Sequence, residues 1–204
     1  MGGEVILLLA ALAAFDPQID TTLKPWSGVA IEAGVQRLHD DFGLTLGVSS
    51  PHFWHDRLSL RLVGGVGWFP DLRSLPMSAD ESESGAWSTY GHTRLLLNYS
   101  VPIALPTGRL YASAGPSIAV LSSRLSSTRV AVGGFGLVGV ELFTGDGLQT
   151  FPAAFYLEIG GVAHAASADI ERRTGIPQTS DATVDRPIAT GFAVQGGLRF
   201  YLWR

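Results

Sequence analysis

The chain contains no cysteine, which excludes disulfides and thiolate metal sites and suits an exported protein that avoids mispairing under oxidising conditions. It holds a single lysine, Lys24; its other basic residues are arginines. Only 16% of its 204 residues are charged, where an ordinary soluble domain carries about 25%. Water-facing surfaces normally spread lysine widely, so little of this surface is built for bulk water. The net charge is −4 and no basic stripe is present, which argues against a nucleic-acid partner. No stretch is apolar over the roughly 20 residues that a membrane-crossing helix needs. What the chain has in plenty is apolar residues, at 46%, and 25 glycines. Glycine disfavours helix and suits close-packed strands, bulges and tight turns.

The first 14 residues carry one short apolar run, Val5 to Ala14, with a small-x-small triplet at Ala11-Leu12-Ala13. That is the length of a signal-peptide core, too short to cross a bilayer. The leading residues depart from the usual pattern, with Glu4 and no Lys or Arg. The expected organisation is a signal peptide at 1–14, a lead-in at 15–27 and one folded domain at 28–204.

From Val29 onward the hydrophobic period is two. Ile31, Ala33 and Val35 alternate with Glu32, Gly34 and Gln36, and Phe42, Leu44, Leu46 and Val48 with Gly43, Thr45 and Gly47. Six further segments repeat the pattern, around Leu60, Leu97, Ala112, Val138, Leu157 and Leu198. Such alternation predicts strands. The one interruption is Pro116 in the fifth segment, where a bulge or kink is expected at Gly115-Pro116.

The two faces differ in chemistry. The apolar face carries no charge, and the other is small and polar with six charges, Glu32, Arg61, Arg94, Glu141, Glu158 and Arg199. A soluble, lipocalin-like barrel with the apolar set inside would leave too few charges in water. The inverse arrangement is consistent: apolar residues toward acyl chains, and a polar lumen in which three acids neutralise three bases. The predicted fold is all-β, an eight-stranded antiparallel up-and-down transmembrane β-barrel with both termini periplasmic. Short turns are expected at His55-Asp56, Pro106 to Gly108 and Gly145 to Gly147, and long outer loops at Asp71–Ala86 and Glu171–Pro187. Aromatic belts are expected from Phe53, Trp54, Phe151, Phe155, Phe200, Tyr201 and Trp203 at one rim, and from Phe42, Trp68, Phe69, Trp87 and Tyr90 at the other.

On these residues the chain resembles the small bacterial outer-membrane β-barrel class. Ser49 to Leu62 is similar to the turn between second and third strands in such proteins. The C-terminal strand resembles the signal read by the barrel-insertion machinery, with Gln195, Gly197, Phe200 and Leu202 in its places and Arg204 departing from the usual aromatic end. The resemblance implies an outer-membrane location. Its implied partners are membrane lipid and lipopolysaccharide, the assembly machinery during insertion, and a protein or surface ligand at the outer loops. The expected role is structural or interactive. The alternatives are a narrow pore or conduit for small apolar molecules, and a lipid-modifying enzyme.

Other motifs carry less. Gly134-Phe-Gly-Leu-Val-Gly139 matches a nucleotide-loop spacing, but alternation runs straight through it, so a strand is expected. His52, His55 and Asp56 cluster at a turn without a second ligand pair of recognisable spacing. His92 and His164 fall on the polar face, and the triplet Asn98-Tyr99-Ser100 lies inside a strand. No His-x-Ser pair and no nucleophile elbow occur. No catalytic residue, metal ligand or cofactor is therefore expected.

Overall fold

The computed structural model describes residues 28–39, 41–69, 88–102, 108–122, 126, 128–143, 153–168 and 186–202. The expected signal peptide and lead-in lie outside these residues. So do the loop 71–86, most of the loop 171–187, the turn 145–147, Trp87, Phe151, Trp203 and Arg204.

The described residues form ten strands: β1 (Ala30–Leu38), β2 (Asp41–Ser49), β3 (Leu58–Phe69), β4 (Ser88–Pro102), β5 (Gly108–Leu121), β6 (Val130–Phe143), β7 (Ala153–His164), β8 (Ser167–Ala168), β9 (Arg186–Pro187) and β10 (Gly191–Tyr201). Eight of them close into a barrel in the order β1-β10-β7-β6-β5-β4-β3-β2. Every neighbouring pair is antiparallel. The closing seam pairs β1 with β10, from Ala30↔Tyr201 to Leu38↔Ala193. The seam is tight: a Cβ at Gly197 would press on the backbone of Ala33 and Gly34. β8 and β9 form a separate short ladder at the end of the barrel opposite the termini.

The alternation places side chains as the period requires. Outward residues include Leu46, at 68% exposure, with Leu44, Val132, Leu157 and Phe155. Inward residues are buried and largely polar, among them Glu32, Gln36, Arg61, Arg94 and Glu158. This is the reverse of a carrier with an apolar interior. Two expected belt residues belong inside: Tyr90 and Tyr201 are buried in the lumen, because their parity matches His92 and Arg199.

The lumen is not uniformly polar. Leu96, Val63 and Leu137 cluster with Phe135 and Val162. On β4, Leu96 stands between Arg94 and Asn98. This apolar layer lies between polar side chains toward the termini and others toward the opposite mouth.

No bulge occurs at Pro116. The β4–β5 register is the same on both sides, Arg94↔Ser117 and Leu97↔Ala114, with the two pairs between them missing. On its other side Pro116 stays in register with Gly134. Proline lacks the N–H that a ladder needs. The chain accommodates this by a local loss of pairing toward β4, and inserts no residue.

Candidate functional site: two polar regions of the lumen

Toward the termini, buried charges form one chain of alternating sign. Arg61 pairs with Glu158, and its Nε donates to Glu32 Oε1 at 2.7 Å. Arg199 Nη2 donates to the other oxygen of Glu32 at 2.9 Å, and its Nη1 to Glu141 Oε1 at 3.2 Å. Arg109 Nη1 lies 3.7 Å from Glu141 Oε2. Two phenols add hydrogen bonds, Tyr111 to Glu158 at 2.6 Å and Tyr201 to Glu141 at 2.5 Å. The guanidinium of Arg199 also stands over the rings of Tyr111 and Tyr156. Buried ions persist only when paired and hydrogen-bonded. Here three acids meet three bases, and the chain ties β1, β3, β5, β6, β7 and β10 together. At its end Arg109 donates to His52 Nε2 at 2.8 Å, so the proton of His52 resides on Nδ1.

Beyond the apolar layer the arrangement differs. Arg94 donates to two neutral amide oxygens, Gln36 Oε1 at 2.6 Å and Gln195 Oε1 at 3.1 Å. Its guanidinium lies 3.8 Å from the centre of the Phe135 ring. At the mouth, Ile188 and Ala189 are buried among Tyr90, Ala119, Leu121 and Ala131. This insert is latched by polar bonds: the amide of Ala189 donates to Asp41 Oδ2 at 3.2 Å, and His164 Nδ1 meets Ala189 O at 2.8 Å. A carbonyl only accepts, so Nδ1 carries the proton of His164 and Nε2 accepts from Ser117 Oγ at 2.9 Å. Ala189 holds a φ of 53°, a left-handed conformation costing an L residue about 1–2 kcal/mol, and the latch offsets it. A serine hydroxyl on a histidine nitrogen is a nucleophile–base geometry. Here the pair is buried, and the carbonyl of Ala189 takes the place of the usual carboxylate.

No family model matches the sequence, and no curated protein matches it. Among solved structures, the chain is similar to the N-terminal β-barrel domain of Pseudomonas aeruginosa OprF, with a TM-score of 0.50 and 14% identity. The match covers 87% of this chain and 98% of that one. The chain shares the fold of the OprF barrel domain. At this identity the likeness is one of architecture alone, and it agrees with the expected eight-stranded antiparallel barrel.

Against that barrel each expected site residue has a place. Of the six charges expected to cluster, Glu32, Arg61, Glu141, Glu158 and Arg199 come together, and Arg94 does not. Arg109 takes the sixth place. Its parity with Tyr111 and Ser113 was the available signal, obscured by its position beside the Pro106–Gly108 turn. Of the C-terminal signature, Gln195 points into the lumen and binds Arg94, while Phe200 and Leu202 face outward. Gly134 to Gly139 is strand, within β6. Asn98 is buried, bonded to Ser59 and Ser113, and is no glycan acceptor. His55 and Asp56 form an exposed left-handed turn, while His52 bonds Arg109 and contacts Ser100.

Proposed function

We propose that the chain is a bacterial outer-membrane protein whose barrel is an anchor and whose connections at the latched mouth form a contact surface. One observation carries the reading. Among the described residues no charged side chain faces outward in the middle of any strand, and the exposed arginines Arg37 and Arg129 stand at strand ends. Such an exterior is suited to acyl chains, where a mid-depth Arg or Lys costs about 2–4 kcal/mol. It exceeds the apolar patch of a few hundred Å² that soluble monomers expose. On this reading the termini are periplasmic and the segments 70–87 and 169–185 leave the barrel on the outer side. Lipid and lipopolysaccharide surround the exterior, and the assembly machinery reads the strand that ends in Phe200 and Leu202.

An interaction role is favoured over conduction or lipid chemistry. The paired charges cross the lumen toward the termini, and at the mouth the Ile188–Ala189 insert is packed among buried side chains and bonded to His164. The decisive experiment is expression behind a standard signal peptide, membrane fractionation, and SDS gels with and without boiling. Heat-modifiable migration in the outer-membrane fraction is the expected result; a soluble, heat-insensitive product would overturn the proposal. Deleting residues 71–86 should leave heat-modifiability intact while removing any surface-binding phenotype.

A further inference from the structure

Arg94 is a cation almost wholly removed from solvent, at 1% exposure, and its bonds go to neutral amides and an aromatic face. No carboxylate among the described residues pairs with it. The acids toward the termini are matched by Arg61, Arg199 and Arg109, and Asp41 accepts from the Ala189 amide at the mouth. A buried charge without a counter-charge is strongly disfavoured. Neutral amide oxygens and a ring face reduce that cost without cancelling the charge.

Most of the unpartnered polar atoms in this part of the lumen are donors. Its own Nε, the Nε2 of Gln36, both ring nitrogens of His92 and the Oγ1 of Thr45 are buried without a hydrogen-bond partner. The amide and guanidinium nitrogens are pure donors, the hydroxyl can donate, and one imidazole nitrogen must carry a proton. These residues sit on adjacent strands. Arg94 reaches Gln36 directly, His92 lies against Gly65, and Gly65 is in register with Thr45. Gln36 lies against Gly43 in the same wall. Glycines in that wall let these side chains lie flat along it, since a Cβ at either position would collide with them.

Glu158, bonded to Arg61, acts on Arg94 only at longer range, and an excess of donors around a cation without an ion-pair partner is the chemistry of an anion site. We propose that this region of the lumen binds a small monovalent anion of halide size. Arg94 supplies the charge, with Gln36, His92 and Thr45 as the donors that complete its shell. The bound anion neutralises the one buried guanidinium among the described residues that the ion-pair chain leaves out. The inference does not depend on which membrane holds the barrel.

The test uses the full chain refolded in detergent, with bromide as probe. Crystals grown in sodium bromide should show an anomalous peak within hydrogen-bond distance of Arg94 Nε. Bromide should raise the melting temperature above that in sodium gluconate of equal ionic strength, as any ligand selective for the folded state does. The Arg94→Met variant should lose both the peak and the bromide-specific rise. Should that variant fail to fold, Gln36→Leu, which keeps the cation and removes one donor, should weaken the response. Absence of the peak in the wild-type crystal would overturn the proposal. So would an equal bromide response in the wild type and Arg94→Met. In either case Phe135 and the two glutamines alone suffice to hold Arg94.

Discussion

The two polar regions of the lumen meet the same difficulty, charge away from water, in different ways. Toward the termini every buried charge among the described residues has an opposite partner, and the partners come from six strands. Beyond the apolar layer a lone guanidinium rests on amides and a ring, under a short insert latched by single hydrogen bonds. The first arrangement is self-sufficient: removing any member strands another. The second is closed by weaker, separable contacts, and it is where a ligand or a local opening can act at little cost to the barrel.

Four substitutions sharpen this contrast. The largest effect is expected from Glu158→Gln. It breaks the pairing with Arg61 and leaves a buried cation under-compensated, a loss of about 3–5 kcal/mol. Reversible urea unfolding from lipid vesicles measures it, and a loss near zero would mean that the chain of charges is redundant. Next is Leu46→Arg on the exterior, expected to cost about 2–4 kcal/mol in the same bilayer assay. Little change in bilayers would count against a lipid-facing exterior at that position. Arg94→Met should cost far less than Glu158→Gln, about 1 kcal/mol, because lost bonds to neutral amides are offset by relief of a buried charge. A loss equal to that of Glu158→Gln would erase the distinction between the two regions. Smallest globally is Asp41→Ala, which removes the acceptor of the Ala189 amide, worth about 1 kcal/mol or less. Hydrogen exchange should report it as faster exchange at Ala189 with the strands unchanged.

The barrel was legible in the sequence because its signal is redundant. Each of eight strands repeats the same two-residue period, and a one-residue slip would invert a whole face. The charge cluster was legible in part for the same reason: parity puts Glu32, Arg61, Glu141, Glu158 and Arg199 inside. Parity does not say at what depth a residue sits. That depends on strand tilt and stagger, which set how far each strand is offset around the ring. Arg94 shares the parity of the cluster, although its hydrogen bonds go to Gln36 and Gln195 and to no carboxylate. The Ile188–Ala189 insert had no periodic signal at all. Two apolar residues after a long polar loop acquire meaning only when Asp41 and His164 are brought to them from distant strands. Pro116 is a different case: of the bulge or kink that a proline in a strand predicts, the bulge is absent, and the strand loses two pairings toward β4 while keeping its register.

The seam between β1 and β10 has a consequence for how the molecule comes into being. Glu32 and Arg199, bonded across it, lie 167 residues apart in the chain. Until the last strand is synthesised, the first has an unsatisfied edge and a carboxylate with half its partners missing. Contacts this distant in sequence form slowly, and open strand edges invite pairing with other chains. The ring therefore cannot close before the last strand has been made, and the first strand waits for the whole chain.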